Sequence, residues 1–143
     1  LTGVPTVAET IALHTIFELV RATKARVHLC RLSSAAGVAL LRAAKAEGLP
    51  VTADVNTQSL HLTDVDIGYF NPDMRLNPPL RQGVDRAALR AALADGTITI
   101  WMGTQGMGQG LETSFTQLAS ESEAGWEPYA QALLCANEFC YVY

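Results

Sequence analysis

Few side chains in this sequence offer chemistry. His28-x-Cys30 sets an imidazole and a thiol two residues apart, a pairing that suits a borderline metal. Asp64 and Asp66 could form a carboxylate pair, but acids at i and i+2 on a turn are usually solvated. Ser33, Ser34 and Ser59 carry hydroxyls, yet no His–Asp partner can be nominated for them. The glycines at 103, 106, 108 and 110 lack both GxGxxG and GKS/T spacing, so the segment reads as a connector and not as a phosphate cradle. The run Asn77-Pro78-Pro79-Leu80-Arg81 is the most informative. Consecutive prolines donate no N–H and belong neither in a helix interior nor in a central strand. The run is therefore expected to be a rigid, extended loop that presents an amide and a guanidinium.

The elements that position these residues follow from periodicity. Thr6-Val7-Ala8-Glu9 fits a capping box, with Thr6 as the cap and Glu9 reaching back. Ala12, Leu13, Ile16, Phe17 and Val20 recur at helical spacing, which predicts a helix from about Val7 to Thr23. A strand-like run, Arg26 to Leu32, comes next. Ser33 or Ser34 then caps a second helix that runs through Lys45 and stops at Gly48. Pro50 introduces a strand over Val51 to Val55. Asn56 to Arg81 reads mostly as loop, with one helical turn near Thr63 to Ile67. Asp85 to Leu93 is a third helix, closed by Asp95-Gly96, and Thr97 to Met102 a third strand. Leu111 to Ala119 and Pro128 to Asn137 look helical. Helices alternating with strands predict an α/β fold with crossovers on a parallel sheet.

Composition sets the outer bounds. The 143 residues suit one domain, and 49% apolar against 17% charged residues is a globular balance. A net charge of −4 without a Lys/Arg cluster argues against nucleic acid or acidic membranes as partners. No apolar run approaches the ~20 residues that span a bilayer, and no signal-peptide pattern is visible. Cys30, Cys135 and Cys140 are odd in number and form no CxxC, which suits free thiols in a reducing cytoplasmic setting. The chain opens on Leu1 and not Met, which reads as a fragment, a processed product or a partial gene.

Several segments resemble dihydroorotases of the cyclic amidohydrolase superfamily in order and spacing. They are Gly3-Val4-Pro5 through Ala8-Glu9, Val27-His28-Leu29-Cys30-Arg31-Leu32-Ser33-Ser34, and Gly48-Leu49-Pro50-Val51-Thr52-Ala53-Asp54-Val55. Leu62-Thr63-Asp64, Asn77 to Arg81, and Asp85-Arg86 through Ala94-Asp95-Gly96-Thr97-Ile98 follow, with an echo at Gly110-Leu111-Glu112-Thr113. Hydantoinases and allantoinases share several of these motifs. The resemblance implies a partial (β/α)8 TIM barrel of about three parallel strands, since a closed barrel takes eight strands and roughly 250 residues. Residues 1–113 would be the C-terminal part of such a barrel, and residues 114–143 a helical tail without a family counterpart.

The resemblance also implies roles, position by position. A zinc-ligating His of the family falls at Arg31, and a guanidinium has no lone pair for a metal. The family's paired His fall at Gln58 and Ser59. His61, two residues on, reads as a surface or loop histidine. The family's Asp, both ligand and general base, falls at Thr104, which has no pKa suited to proton transfer. Gln105 and Gly108 stand at two further His positions. No catalytic residue and no metal ligand is therefore expected, and no cofactor, although zinc serves the family. Asn77 and Arg81 remain as candidate substrate contacts; Asn77 divides evenly between a retained contact and a loop-structuring amide, and Arg81 more often holds the loop through backbone carbonyls or a nearby acid. Strand alternation would put Arg31 with Val27 and Leu29, and His28 with Cys30 on the face toward the helices. A packed, hydrogen-bonded His28 is then favoured over a ligand. The inner face, with Val51, Ala53 and Val55, would be left uncovered.

The family interconverts carbamoyl-aspartate and dihydroorotate in pyrimidine biosynthesis. For this chain the resemblance implies a catalytically defective, structural dihydroorotase-like protein, inactive by itself. Its expected partner covers the open sheet and is either a second copy or a protein such as aspartate transcarbamoylase. The alternatives are a piece of an active zinc amidohydrolase that needs its N-terminal half, and a barrel fragment without function.

Overall fold

The computed structural model describes residues 4–69 and 71–100. The predicted third-strand residues Trp101 and Met102, the glycine-rich segment, Thr104, Gln105, Gly108, Trp126, Cys135, Cys140 and both C-terminal helices lie outside the described residues. Helix α1 (Thr6–Thr23) leads into strand β1 (Val27–Leu29), helix α2 (Ala35–Ala46) and strand β2 (Val51–Ala53). A short helix α3 (Thr57–His61) and two 3-10 turns (Asp64–Ile67 and Pro72–Met74) precede helix α4 (Gly83–Ala94).

The strands pair in parallel, with Val27 opposite Val51, His28 opposite Thr52 and Leu29 opposite Ala53. The third strand is present among the described residues as a parallel bridge from Asp54 to Thr99. Its ladder bonds run from Val55 N to Thr99 O and from Thr99 N to Ala53 O, both 3.0 Å. The order along the sheet is thus β1, β2, Thr99, as in successive turns of a parallel barrel.

The core fills the space between this sheet and the helices. Leu13, Phe17 and Val20 of α1, Val38, Leu41 and Ala44 of α2, and Leu89, Ala92 and Leu93 of α4 close over Leu29, Val51, Ala53, Val55 and Ile98. The spacing of these helical positions is that of one apolar stripe per helix, which burial drives together. The covered sheet face is therefore the one with Leu29, Val51 and Ala53. This reverses the expected assignment of faces. His28 and Thr52 point away from the helices, and among the described residues this inner face is polar and uncovered.

The N-terminal cap of α1 also differs from expectation. Pro5 is the N-cap and makes no side-chain bond, while Glu9 reaches outward to another helix instead of back. Its carboxylate accepts the backbone N–H groups of Ser33 and Ser34, each at 3.1 Å, and both serine hydroxyls. Those serines are fully buried at the start of α2. Ser34 is the N-cap and accepts from Gly37 N at 3.0 Å. Asp85 of α4 accepts a further N–H, from Ala35, at 2.8 Å. Two carboxylates thus meet the positive end of the α2 dipole and hold three helices together there.

Candidate functional site

The Cys30–Ser34 segment, between β1 and α2, carries the chemistry-bearing residues. β1 ends at Leu29, and Arg31 adopts φ 63°, the left-handed region. A non-glycine residue there needs fixed partners. Asp54 supplies one, its Oδ1 accepting the Arg31 N–H. Leu32 N donates to Asp54 O at 2.9 Å, so the chain re-enters the ladder beyond the kink. The kink breaks the alternation expected through Arg31. Leu32 turns into the core, while Arg31 stays exposed and sends Nη1 to the carbonyl of Asn77, 3.0 Å away.

Parallel register then gathers a polar group on the uncovered face. His28 Nδ1 lies 2.7 Å from Thr52 Oγ1, its cross-strand neighbour. His28 Nε2 lies 3.1 Å from Asp54 Oδ2, two residues further along the same face. In the neutral ring, Thr52 donates to Nδ1 and Nε2–H donates to Asp54. Cys30 is a free, exposed thiol on this face. One ligand atom each from His28, Cys30 and Asp54 lies within 4.8 Å of the others. Sequence reasoning reached His28 and Cys30 but turned them toward the helices, and it did not single out Asp54. Its weight comes from strand register, which no local spacing reveals.

The loop with the double proline has Asn77 exposed and Leu80 buried, and the Asn77–Pro78 bond is cis. Arg81 is half-buried. Its Nε donates to Ser33 Oγ at 3.2 Å and Nη1 to the carbonyl of Val4, tying this loop to the Glu9–Ser33 cluster. Asp64 N donates to Arg81 O at 2.9 Å. Gln58 sits within α3 and Ser59 N donates to Asn56 O. His61 ends α3, half-buried beside Arg86 and Arg90. Burial first, then the charges of Arg90 and Arg86, push its pKa down to about 4. Arg90 and Arg86 donate to the carbonyls of Leu60 and His61, at 2.8 and 2.9 Å. Asp66 accepts from Thr63 N at 2.6 Å and Thr63 Oγ1 at 2.9 Å, and these bonds hold its carboxyl below the usual range. It closes a turn and is no partner for Asp64 in catalysis.

Zinc at the positions the family resemblance marks does not fit these residues. The Arg31 guanidinium is a fixed cation already donating to Asn77 O, and Gln58 and Ser59 bring no imidazole. The position of Thr104 lies outside the described residues.

No family model matches the chain. Among curated proteins it is 43% identical over 100 residues to the dihydroorotase of Anaeromyxobacter dehalogenans and 46% identical over 98 residues to that of Streptomyces coelicolor. It is also 43% identical over 98 residues to a dihydroorotase-like protein of Pseudomonas aeruginosa. Each match takes in 68% of this chain and 23% of the relative. The chain therefore spans about a quarter of the length of the curated relatives it matches. Among solved structures, D-hydantoinase from Bacillus sp. AR9 aligns with a TM-score of 0.65 at 22% identity, covering 74% of this chain and 25% of that one. L-hydantoinase from Arthrobacter aurescens aligns at 0.64 and 23% identity, covering 85% and 26%. The fold is thus part of an amidohydrolase TIM barrel, and the chain belongs to the dihydroorotase-like amidohydrolases.

Proposed function

We propose that this chain is a catalytically defective dihydroorotase-like protein, structural in role, that associates with aspartate transcarbamoylase. The observation that carries this reading is Arg31. It stands where the family resemblance places a metal-ligating His, and its guanidinium bridges to the Asn77 carbonyl at 3.0 Å. A guanidinium at that point has no lone pair to replace the lost ligand, and it joins the Cys30–Ser34 segment to the Asn77–Arg81 loop. Thr104 at the family's general-base position supports the same reading. Asn77 is the residue we propose to retain contact with a carbamoyl-aspartate-like ligand, and Arg81 to hold the loop.

The test has two arms. The chain is assayed for dihydroorotate hydrolysis with added zinc, alone and as the double variant Arg31→His, Thr104→Asp. It is also mixed with aspartate transcarbamoylase and examined by size-exclusion chromatography with light scattering. No turnover by either form, with a shift of mass on mixing, is the expected result. Turnover by the double variant would overturn the loss of catalysis as a property of this scaffold. An unchanged mass on mixing would overturn the partner.

A further inference from the structure

We propose that His28, Cys30 and Asp54 form a three-ligand site for a thiophilic divalent cation of the zinc type, at positions other than those the family resemblance gives to zinc. The inference is independent of the proposed function, because it rests on other residues and needs no turnover.

Three observations carry it. The first is the donor set. A thiolate, an imidazole and a carboxylate together are the mixture that borderline cations such as Zn2+ select over Mg2+ or Ca2+. Their ligand atoms lie within 4.8 Å of one another, with Nε2 and Oδ2 already 3.1 Å apart. Ligands at 2.0–2.3 Å around a tetrahedral ion stand roughly 3.3–3.8 Å from each other, so closure asks for movements on the order of 1 Å. Cys30 is exposed and its side chain can make that movement.

The second is the support behind the ligands. Thr52 Oγ1 sits 2.7 Å from Nδ1 and orients the ring with Nε2 toward Asp54. On metal binding the proton moves to Nδ1, the hydroxyl turns from donor to acceptor, and Nε2 presents its lone pair. Such an outer partner fixes both tautomer and ring orientation. Asp54 keeps Oδ1 on the Arg31 N–H and leaves Oδ2 for the ion. The Cys30 thiol gives up its proton to become the third ligand, so binding weakens as the solution is acidified.

The third is backbone placement. Cys30 lies just beyond the end of β1, and Asp54 just beyond β2, with His28 one step inside. In parallel α/β sheets the C-terminal ends of strands are where ligands are held. The left-handed Arg31 ends the strand there and sends its guanidinium to the Asn77 carbonyl. Three protein ligands leave a fourth, open position for water or a small anion.

The experiment is a titration of the metal-free, reduced 143-residue chain with Co2+, followed by displacement with Zn2+. The expected result is one equivalent of tetrahedral Co2+ with thiolate-to-cobalt charge-transfer absorption. That absorption disappears in Cys30→Ser, and affinity falls at least tenfold in His28→Gln and Asp54→Asn. Thr52→Val should weaken binding by about 10- to 100-fold with the spectrum retained. No binding overturns the proposal. So does a charge-transfer band that survives in Cys30→Ser, because the thiolate would then come from Cys135 or Cys140. Far-ultraviolet circular dichroism checks that each variant is folded. Alkylation of the unmodified chain gives a readout free of mutation. Zn2+ must protect Cys30 from iodoacetamide, as read by peptide mass, and unchanged labelling of Cys30 also overturns the site.

Discussion

At the scale of single residues, the histidines divide by environment. His28 sits on the sheet face away from the helices in a hydrogen-bonded set, whereas burial first, and then the charges of Arg90 and Arg86, suppress protonation of half-buried His61. The sign of the pH effect follows from where the proton goes. Unfolding restores an ordinary imidazole near 6.5, while the folded chain holds His61 near 4. Between these values the unfolded state binds the extra proton, so stability falls as pH falls through that window. The slope is at most about 1.4 kcal/mol per pH unit, and less for a partly solvated ring. Asp66 and Asp95 are shifted downward, so their contribution is lost only below the ordinary carboxylate range, and the windows separate. Urea unfolding at pH 7, 5.5 and 4.5 should show a decreasing midpoint, and His61→Gln should flatten that dependence. An equal decrease in the variant would remove His61 as its cause.

At the scale of elements, the start of α2 is the best-determined point of the fold. A Cβ added at Gly37 would lie 2.3 Å from Glu9 Oε1, 3.0 Å from Leu32 Cδ1 and 3.2 Å from Ser34 Oγ. The glutamate tip is flexible in general, but here two N–H groups and two hydroxyls hold it. Gly37→Ala should therefore destabilise, although helix propensity alone predicts a gain of about 1 kcal/mol. Glu9→Ala leaves two buried serines without their acceptor and should cost roughly 3 kcal/mol. The two changes act on one contact, so Gly37→Ala should cost less in the Glu9→Ala background, as a double-mutant cycle by urea denaturation would show. Additivity would mean that the carboxylate does not set the requirement for glycine. The helices were legible in the sequence because 3.6-residue stripes such as Leu13, Phe17 and Val20 mark them directly. The capping role of Glu9 was not. A Thr-x-x-Glu pattern is satisfied locally or at a distance, and only tertiary structure chose Ser33 and Ser34. The sheet faces were misassigned for a related reason. Period-two alternation says which residues share a face, but not which face the helices cover. The kink at Arg31 then broke the count that joined it to Val27 and Leu29.

At the scale of the whole molecule, the apolar surface exposed among the described residues bears on how the chain behaves in solution. The sheet face turned away from the helices carries the polar, exposed side chains of His28 and Thr52. Helix α1 is different. Its inner stripe is Leu13, Phe17 and Val20, and its outer side shows Val7, Ile11 and Leu19 at 54%, 61% and 58% exposure. These outer positions fall on one i+4 row with Thr15, a continuous ridge that a neighbouring helix can cover. Burying each such side chain contributes about 1.5–3 kcal/mol, which is enough in combination to oppose the cost of association. The chain should therefore self-associate with rising concentration when no other partner is present. Ile11→Lys with Leu19→Lys should shift it toward monomer in sedimentation velocity, while Thr52→Lys on the sheet face should not. If Thr52→Lys were the change that dissolved the assembly, the polar face would be the interface and the outer ridge of α1 only solvent-exposed surface. The same pair of variants bears on the proposed partner. A ridge that serves aspartate transcarbamoylase would lose that association along with self-association, whereas a partner docked at the strand ends would be retained.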